Sequence, residues 1–415
     1  MYDLQLTSEQ LEFRDTVRDF VDREVRPAAT LPARLEPFEK PLMLDLLDQA
    51  AQMGLRALGL PEDAGGAGTD LLTTCVVLEE LAVGDVDLAV VLGETALLIS
   101  AVHDAMQPGQ RDRWLPRFDS SDRFHLALIA PRADAERGWS YPQSMAQDPV
   151  PASTPQVSAE RSDSGDWVLN GHAQFVSNAP VAGLFVVQAR IVGSPGTVTV
   201  LIGRDAPGLT VGDSLPAFSG EGQYARWHHG AVSSVTLKDC RVRADDVLAA
   251  DAAQRALHDA FAGRHAVQMA AINVGVARAA YESAIDYAKM RWQGGRWIVE
   301  HQAIGMKLAD IAIQLEAARG LTWKAAWLSD HPQAIADRSV SDLPWPIVAR
   351  TFAAEALHRS TLEAAECFGA MGVMRDMPLQ KYVHDTLVLR HSIDCDLASP
   401  LVVAEAVAGF ARAPH

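Results

Sequence analysis

The sequence has few cysteines, no excess of basic charge and no CxxC pair. Its four cysteines lie far apart, so neither a disulfide framework nor a zinc site is indicated, and we expect free, mostly buried thiols. The chain carries 53 acidic against 36 basic residues, for a formal net charge of −17. Because a phosphate backbone requires a basic protein face, this balance argues against nucleic acid as a partner.

A secretory leader and a membrane span are also not evident. No basic stretch followed by an apolar segment opens the chain, and the most apolar stretch, residues 86–102, is interrupted by Asp87 and Glu94 and is short for a bilayer. We therefore expect a cytoplasmic protein with no membrane span. At 415 residues, 48% of them apolar and 21% charged, the chain can form two or three globular domains.

Three regions differ in residue pattern and predict an α+β multidomain protein. Residues 1–122 carry apolar residues at helical spacing, beginning with a capping box at Thr7 and Gln10. Residues 123–248 contain short β-branched segments separated by Gly, Pro, Asn and Asp, which predicts a central antiparallel β-barrel or sandwich. Residues 249–415 are alanine-rich and predict a four-helix bundle. Within the middle region, the proline-rich residues 132–165 predict a surface excursion that is mobile or functional.

Several segments resemble those of one enzyme family. Tyr287-Ala-Lys-Met-Arg291, followed by Gln302, and the stretch Cys367-Phe-Gly-Ala-Met-Gly372 resemble signatures of the acyl-CoA dehydrogenase family. Residues 165–171 and 175–179 resemble the strands that carry the family's flavin-side tryptophan and threonine. The resemblance extends over essentially the full length with the domains in the family's order, and it implies the acyl-CoA dehydrogenase fold with FAD as the cofactor.

The resemblance also implies which residues hold the dinucleotide. Arg291 would pair with the FAD diphosphate of a neighbouring subunit, a task suited to a guanidinium fork. Gln302 would contact the adenosine half, and Gly369 and Gly372 would allow the backbone to approach the phosphates closely. The competing interpretations are an exposed helix cation for Arg291, a helix-surface hydrogen bond for Gln302 and a helix C-cap for the two glycines.

The flavin ring and the assembly follow from the same resemblance. Phe175 stands in place of the tryptophan that packs on the isoalloxazine, and Ser177 in place of the threonine that addresses flavin N5; both retain the chemistry needed. The implied partners are an acyl-CoA thioester and an electron acceptor for the reduced flavin. Subunit-shared FAD sites imply a homotetramer or dimer, possibly heteromeric with a paralogue.

The usual catalytic glutamate is absent. The family reaction removes a proton beside the thioester carbonyl while a hydride passes to the flavin, so a carboxylate base is required. The two family positions for that base hold Ile393 and Gly263 in this chain. Asp394 is the nearest substitute, although a cap or a solvated loop acid is its competing interpretation. The other candidates are the base or donor His391, the acids Asp396 and Asp87, and Arg264 as a residue facing the thioester.

A metal site is not expected, although His228, His229 and His172 invite the idea, because adjacent histidines seldom chelate one ion. Three functions remain open at this point. The first is dehydrogenation of an atypical acyl-CoA. The second is a flavin-dependent oxidase or monooxygenase of the same fold, and the third is a non-catalytic partner subunit that completes the FAD site of a paralogue.

Overall fold

The structure is a computed structural model that describes residues 5–35, 41–130, 132–133, 153–154, 157–194, 196–215, 229–374, 376–391 and 398–408. Helices form both ends of the chain and a sheet forms its middle, which confirms the α+β class and the predicted order of the regions.

The N-terminal region is helical, as expected. The capping box is confirmed, since Thr7 Oγ1 accepts from Gln10 N at 3.2 Å and Gln10 Oε1 accepts from Thr7 N at 3.0 Å. A π-helical turn, Val21–Val25, joins the first two helices. The helices are α1 (Ser8–Phe20), α2 (Arg26–Ala29), α3 (Leu44–Gln52), α4 (Leu71–Gly84), α5 (Val86–Ala105) and α6 (Pro108–Asp119), with 3₁₀ turns at Pro32–Arg34, Leu55–Ala57 and Glu62–Ala64.

Helix α5 is longer than the apolar run suggested. Its 20 residues are sufficient in length and hydropathy to cross a membrane, but 83% of the apolar window is buried inside the protein. The helix packs against α4, against the first sheet strand and against the first helix of the C-terminal bundle. Because neighbours surround it, α5 is apolar on nearly every side, as a core helix is.

The middle region contains an eight-stranded sheet, and the described residues of the chain also form two separate antiparallel sheets of two strands each, β2 with β3 and β11 with β12. The strands are β1 (His125–Ile129), β2 (Arg132–Ala133), β3 (Ser153–Thr154), β4 (Val157–Arg161), β5 (Trp167–Ser177), β6 (Ala182–Ile191), β7 (Thr197–Gly203), β8 (Leu209–Leu215), β9 (Val232–Val242) and β10 (Val247–Ala250). The order is β10-β7-β6-β4-β5-β9-β8, and β1 also pairs with β6.

The sheet is mixed rather than wholly antiparallel, which corrects the sequence expectation. β1 runs parallel to the first part of β6, and β4 runs parallel to its last residues. The long strand β6 therefore pairs with two parallel strands, first with β1 and then with β4. The strand β4 also lies within residues 132–165, so the end of that predicted surface excursion belongs to the sheet; residues 134–152 and 155–156 lie outside the described part of the chain.

The C-terminal region is a helical bundle, as predicted. Helices α7, α8, α10 and α11 pack on one another, and α4 and α5 pack on α7. The elements are α7 (Asp251–Met290), β11 (Trp292–Gln293), β12 (Arg296–Trp297), α8 (Gln302–Asp330), α9 (Gln333–Ala336), α10 (Trp345–Cys367), α11 (Leu379–Arg390) and α12 (Ala398–Ala408), with 3₁₀ turns at Ile298–Glu300 and Gly369–Val373.

The bundle has two distinct ends. At the first, which we call the Arg264 end, Arg264 Nη2 on α7 lies 2.5 Å from Asp330 Oδ1 at the end of α8. At the second, the Arg291 end, the Tyr287 ring on α7 stacks on Phe368, just beyond α10, with centroids 4.1 Å apart. At 1.5 Å per residue, α7 separates Arg264 from Arg291 by about 40 Å.

Candidate active site

The site begins at the carboxyl end of β5, where the backbone departs from a regular strand. The register of β5 against β9 shifts between Ala173 and Val176, which marks a β-bulge. Phe175 and Asn178 both have left-handed backbone conformations, with φ of 57° and 60°. Such conformations are unfavourable for residues with side chains and cluster at functional sites. The bulge therefore sets the direction of Phe175 and Ser177 at the edge of the sheet.

Asn178 fixes this strand end to helix α5. Its side chain is fully buried, and Nδ2 donates to Val91 O at 3.1 Å and to Thr95 Oγ1 at 3.3 Å. Its backbone N–H donates to Ala231 O at 2.6 Å. Ser177, the preceding residue, is therefore held against the face of α5.

On that face the hydroxyl of Ser177 meets a carboxylate. Ser177 Oγ donates a hydrogen bond to Glu94 Oε2, and the other oxygen, Glu94 Oε1, lies 3.3 Å from His265 Nε2 on α7. The Glu94 and His265 side chains are only 13% and 9% exposed. Three separate elements (α5, β5 and α7) thus bring a carboxylate, a hydroxyl and an imidazole together in a largely water-excluded place.

The remaining predicted cofactor residues lie at the Arg291 end. Arg291 is exposed and makes no ion pair with any residue that the structure describes. Gln302 is exposed at the start of α8, and Gly369 is exposed with φ of 57° and open space where a side chain would be. An unpaired guanidinium, a helix N-terminus and an open glycine turn fit a diphosphate chemically.

Gly372 has a different requirement. A Cβ at this position would lie 2.2 Å from Ala365 O on α10, and Gly372 is buried. The close packing of the turn on α10 is therefore sufficient to require glycine here, and Gln380 Nε2 donates to Gly372 O at 2.6 Å to hold the turn. Contact of Gly372 with phosphate remains a prediction.

The predicted cofactor residues thus form two groups within one chain. Ser177 is linked through Glu94 to His265, close to the Arg264 end, and Phe175 precedes Ser177 by two residues. Arg291 and Gly369 lie at the other end of α7, about 40 Å away. That separation is greater than one dinucleotide can bridge. The residues fit a dinucleotide when the two groups come from different copies of the chain.

The structure describes only some of the predicted catalytic and substrate residues. His391 is exposed as the C-cap of α11, and Asp394 and Asp396 lie outside the described residues, as does Ile393. Arg264 pairs with Asp330 instead of facing Ser177, so its contact with a thioester remains a prediction. The α11 C-terminus does lie toward the Arg264 end, since Arg350 near the start of α10 donates to Leu389 O at 2.8 Å.

Asp87 lies in a buried polar network away from Ser177. His229 Nδ1 is 3.3 Å from Asp87 Oδ1, and Gly230 N donates to the same oxygen at 2.9 Å. Among the described residues no group of three or more His, Cys, Asp or Glu side chains could hold a metal ion; His228 lies outside them. The described cysteines are free and buried, and burial raises the pKa of each thiol: Cys75, Cys240 and Cys367.

Glu94 and His265 were not among the predicted site residues. The sequence did contain a signal, because Glu94 interrupts the most apolar stretch of the chain. A carboxylate in a helix that is otherwise buried needs a partner, and partnered buried charges are frequent at functional sites. The pairing with His265, 171 residues away, could not be inferred from spacing.

Comparison with known families agrees with this architecture. The N-terminal domain of acyl-CoA dehydrogenases matches residues 7–122, and the C-terminal domain of acyl-CoA dehydrogenases matches residues 253–392. Among relatives, an acyl-CoA dehydrogenase of Bacillus subtilis (strain 168) is 26% identical over 392 residues, covering 93% of this chain and 94% of that protein. The short-chain specific mitochondrial enzyme of Homo sapiens is 27% identical over 380 residues, covering 90% and 84%.

Solved structures show the same fold. Butyryl-CoA dehydrogenase from Megasphaera elsdenii superposes with a TM-score of 0.80 at 22% identity, covering 98% of this chain and 100% of that one. The FAD complex of PigA superposes with a TM-score of 0.77 at 19% identity, covering 98% and 99%.

Proposed function

Because the chain belongs to the acyl-CoA dehydrogenase family, we propose that it removes two hydrogens from adjacent carbons of an atypical acyl-CoA thioester. The protein is an oxidoreductase acting on CH–CH groups, and its cofactor is FAD. Bound FAD supplies the acceptor for the two electrons that leave the substrate. An electron acceptor that reoxidises the flavin is the second proposed partner.

The observation that supports this reaction is the largely buried carboxyl group beside Ser177. The first step requires a base in a site from which water is excluded, because the proton beside a thioester carbonyl is only weakly acidic. The hydrogen bond from Ser177 to Glu94 provides such a carboxylate at the strand end where the family resemblance places the flavin. Asp394 remains the other candidate base and lies outside the described residues.

The two groups of cofactor residues support a shared site. With Ser177 and Arg291 at opposite ends of α7, the FAD would lie between the Ser177 group of one subunit and the Arg291 group of its partner. We propose a homodimer, or a tetramer of two such dimers, as the active form. Arg291 would hold the diphosphate, Gln302 the adenosine half, and Phe175 would pack on the flavin.

Anaerobic titration of the purified flavoprotein with a panel of acyl-CoA thioesters tests the function. Loss of the oxidised flavin absorbance with at least one thioester is the expected result. A flavoprotein that responds to none of them would contradict the proposal. In that case, reoxidation chemistry with reduced flavin and oxygen would indicate an oxidase or monooxygenase, and a chain that takes up flavin only with a co-expressed paralogue would indicate a partner subunit.

A further inference from the structure

We propose that Glu94 is the catalytic base and that His265 is the residue that positions its carboxylate. This assignment rests on the proposed dehydrogenation. The two family positions for the base hold side chains without acid–base chemistry, Ile393 and Gly263. Within the described residues Glu94 is the carboxylate that contacts Ser177.

Glu94 has the contacts expected of an oriented base. Its two oxygens have different partners: Oε2 accepts from the Ser177 hydroxyl, and Oε1 faces His265 Nε2 at 3.3 Å. The imidazole is itself fixed, because its ring stacks on Phe261 with centroids 5.6 Å apart and planes inclined by 11°. A carboxylate held on both sides has little freedom, which favours proton transfer in one direction.

Consecutive residues near the start of the described part of α7 point in different directions. Gly263, one turn before Val267 on α7, would have only Pro346 near an added Cβ, at 3.8 Å. The following residue, Arg264, turns away to Asp330, while His265 turns towards Glu94. Residues two apart on a helix lie about 200° apart around its axis, so Gly263 and His265 are on nearly opposite faces of α7, and His265 is the one that meets the carboxylate.

An unpaired amide adds to the polarity of the same place. Gln268, one helical turn after His265, is 2% exposed, and its Oε1 has no hydrogen-bond partner among the described residues. A Cβ at Gly93, next to Glu94, would lie 3.6 Å from that oxygen. A buried acceptor without a donor is costly, so a polar group of a ligand or a water molecule would stabilise it.

Ser177 can release the carboxylate. A hydroxyl rotates about a single bond and can donate to another acceptor, and the family resemblance directs this hydroxyl to the flavin. Once Ser177 donates elsewhere, Glu94 Oε2 is free to accept a proton. Glu94 then takes the proton from the carbon next to the thioester carbonyl. Bound FAD would supply the acceptor for the hydrogen and electron pair that leave the neighbouring carbon as the carbon–carbon double bond forms.

The spectrum of bound flavin with a non-reacting thioester tests the base directly. A 3-thiaacyl-CoA loses its acidic proton to the active-site base but cannot transfer a hydride, and its enolate gives a long-wavelength charge-transfer band with oxidised flavin. Wild type, Glu94→Gln, Asp394→Asn and the surface control Glu160→Gln are titrated with the analogue, and thioester affinity is measured by calorimetry. Glutamine keeps the size of Glu94 and its hydrogen-bonding oxygen.

We expect Glu94→Gln to bind FAD and the analogue but to lose the charge-transfer band, and to slow flavin reduction by acyl-CoA about 100- to 10,000-fold. Asp394→Asn and Glu160→Gln should keep the band. His265→Asn should retain the band with an altered pH dependence. A band that persists in Glu94→Gln and disappears in Asp394→Asn would overturn the assignment while leaving the dehydrogenation intact. Wild-type protein that responds to no thioester would overturn the function and the assignment together.

Discussion

His229 Nδ1 lies 3.3 Å from Asp87 Oδ1, and this contact joins the segment just before β9 to the first turn of α5. The other ring nitrogen, Nε2, lies 2.9 Å from Asp385 O on α11. One buried imidazole therefore touches all three regions of the chain. Next to it Lys381 Nζ donates to Asp385 Oδ2 at 2.7 Å. Burial alone would raise the pKa of the Asp385 carboxyl group. The attraction and hydrogen bond of the Lys381 ammonium, together with His229, outweigh burial, so the pKa of Asp385 lies below its ordinary value.

Asp87→Ala should destabilise the junction. It removes the acceptor that Gly230 N reaches at 2.9 Å and the oxygen that faces His229. Loss of a partner for buried polar groups should lower the free energy of unfolding by about 1–3 kcal/mol. Denaturant titration measures this, and Asp87→Asn, which keeps an acceptor oxygen, should lose less. Equal losses in the two variants would show that the oxygen contact is not what stabilises the junction.

His125 should make stability fall in mildly acidic solution. Its ring is buried against α5, with Nδ1 3.1 Å from Thr95 Oγ1. Burial, assisted by the Arg56 guanidinium, lowers the pKa of His125 from 6.5 to about 4. As the pH falls, the imidazole of the unfolded chain is protonated at a higher pH than the buried ring, and this protonation favours unfolding. The stability that neutral His125 contributes is therefore complete above pH 6.5 and is lost as the pH falls towards about 4.

The lowered pKa of His125 corresponds to a loss of about 3 kcal/mol in the free energy of unfolding between pH 6.5 and about pH 4. In His125→Gln, which retains a hydrogen-bonding side chain without a titrating ring, the free energy of unfolding should vary less between these pH values. Denaturant titrations at a series of pH values provide the measurement. An unchanged pH dependence in the variant would assign the effect to other groups.

Mixed oligomers should reveal the shared FAD site. Arg291→Ala removes a charged contact with the diphosphate and should weaken FAD binding about 10- to 100-fold, given about 1.5–3 kcal/mol for a charged hydrogen bond. Phe175→Ala should also weaken FAD binding, because it removes the ring proposed to pack on the flavin. In the mixed dimers that form when the two variants are co-expressed, one shared site carries both substitutions and the other carries neither.

Half of the sites in those mixed dimers should therefore bind FAD with the wild-type affinity, as measured by flavin fluorescence during titration of the apoprotein. Each variant alone should have no such sites. If the mixture shows the same weak binding as the single variants, both residues belong to the site of one chain and the shared arrangement is wrong.

The two glycines of the turn after α10 should respond differently to alanine. Gly372→Ala would place Cβ 2.2 Å from Ala365 O, so the turn must move and the protein should lose about 2–3 kcal/mol of stability, as at an overpacked core site. Gly369→Ala has open space but φ of 57°, and should lose about 1 kcal/mol. Thermal unfolding of both variants compares the two losses. A larger loss for Gly369→Ala would contradict the packing role of Gly372.

Local patterns were sufficient for much of the fold. The capping box at Thr7 and the alanine-rich periodicity of residues 249–415 report local geometry, and both predictions are confirmed. The parallel pairing of β1 and β4 with β6 was missed, because β-branched composition is the same for parallel and antiparallel neighbours. The segment from Arg291 to Gln302 could also be matched to the family from the sequence, because its residues are close together in the chain.

The site itself depends on contacts between distant segments. Ser177 could be identified from its strand, but its partner Glu94 lies 83 residues earlier and His265 lies 171 residues after Glu94. Only the packing of α5 between the sheet and α7 brings these groups together. The direction of Arg264 towards Asp330 likewise follows from the helix phase in the bundle, and the family pattern gave no indication of that ion pair.

Under the proposed shared site, the length of α7 would link flavin content to self-association. If each cofactor is held by residues from both ends of this helix, supplied by two subunits, a lone subunit holds only part of a binding site. Dilution would then release flavin, and added flavin would draw subunits together, because each equilibrium shifts the other. The yellow colour of a preparation would vary with protein concentration, and the apparent melting temperature would rise with both protein and flavin.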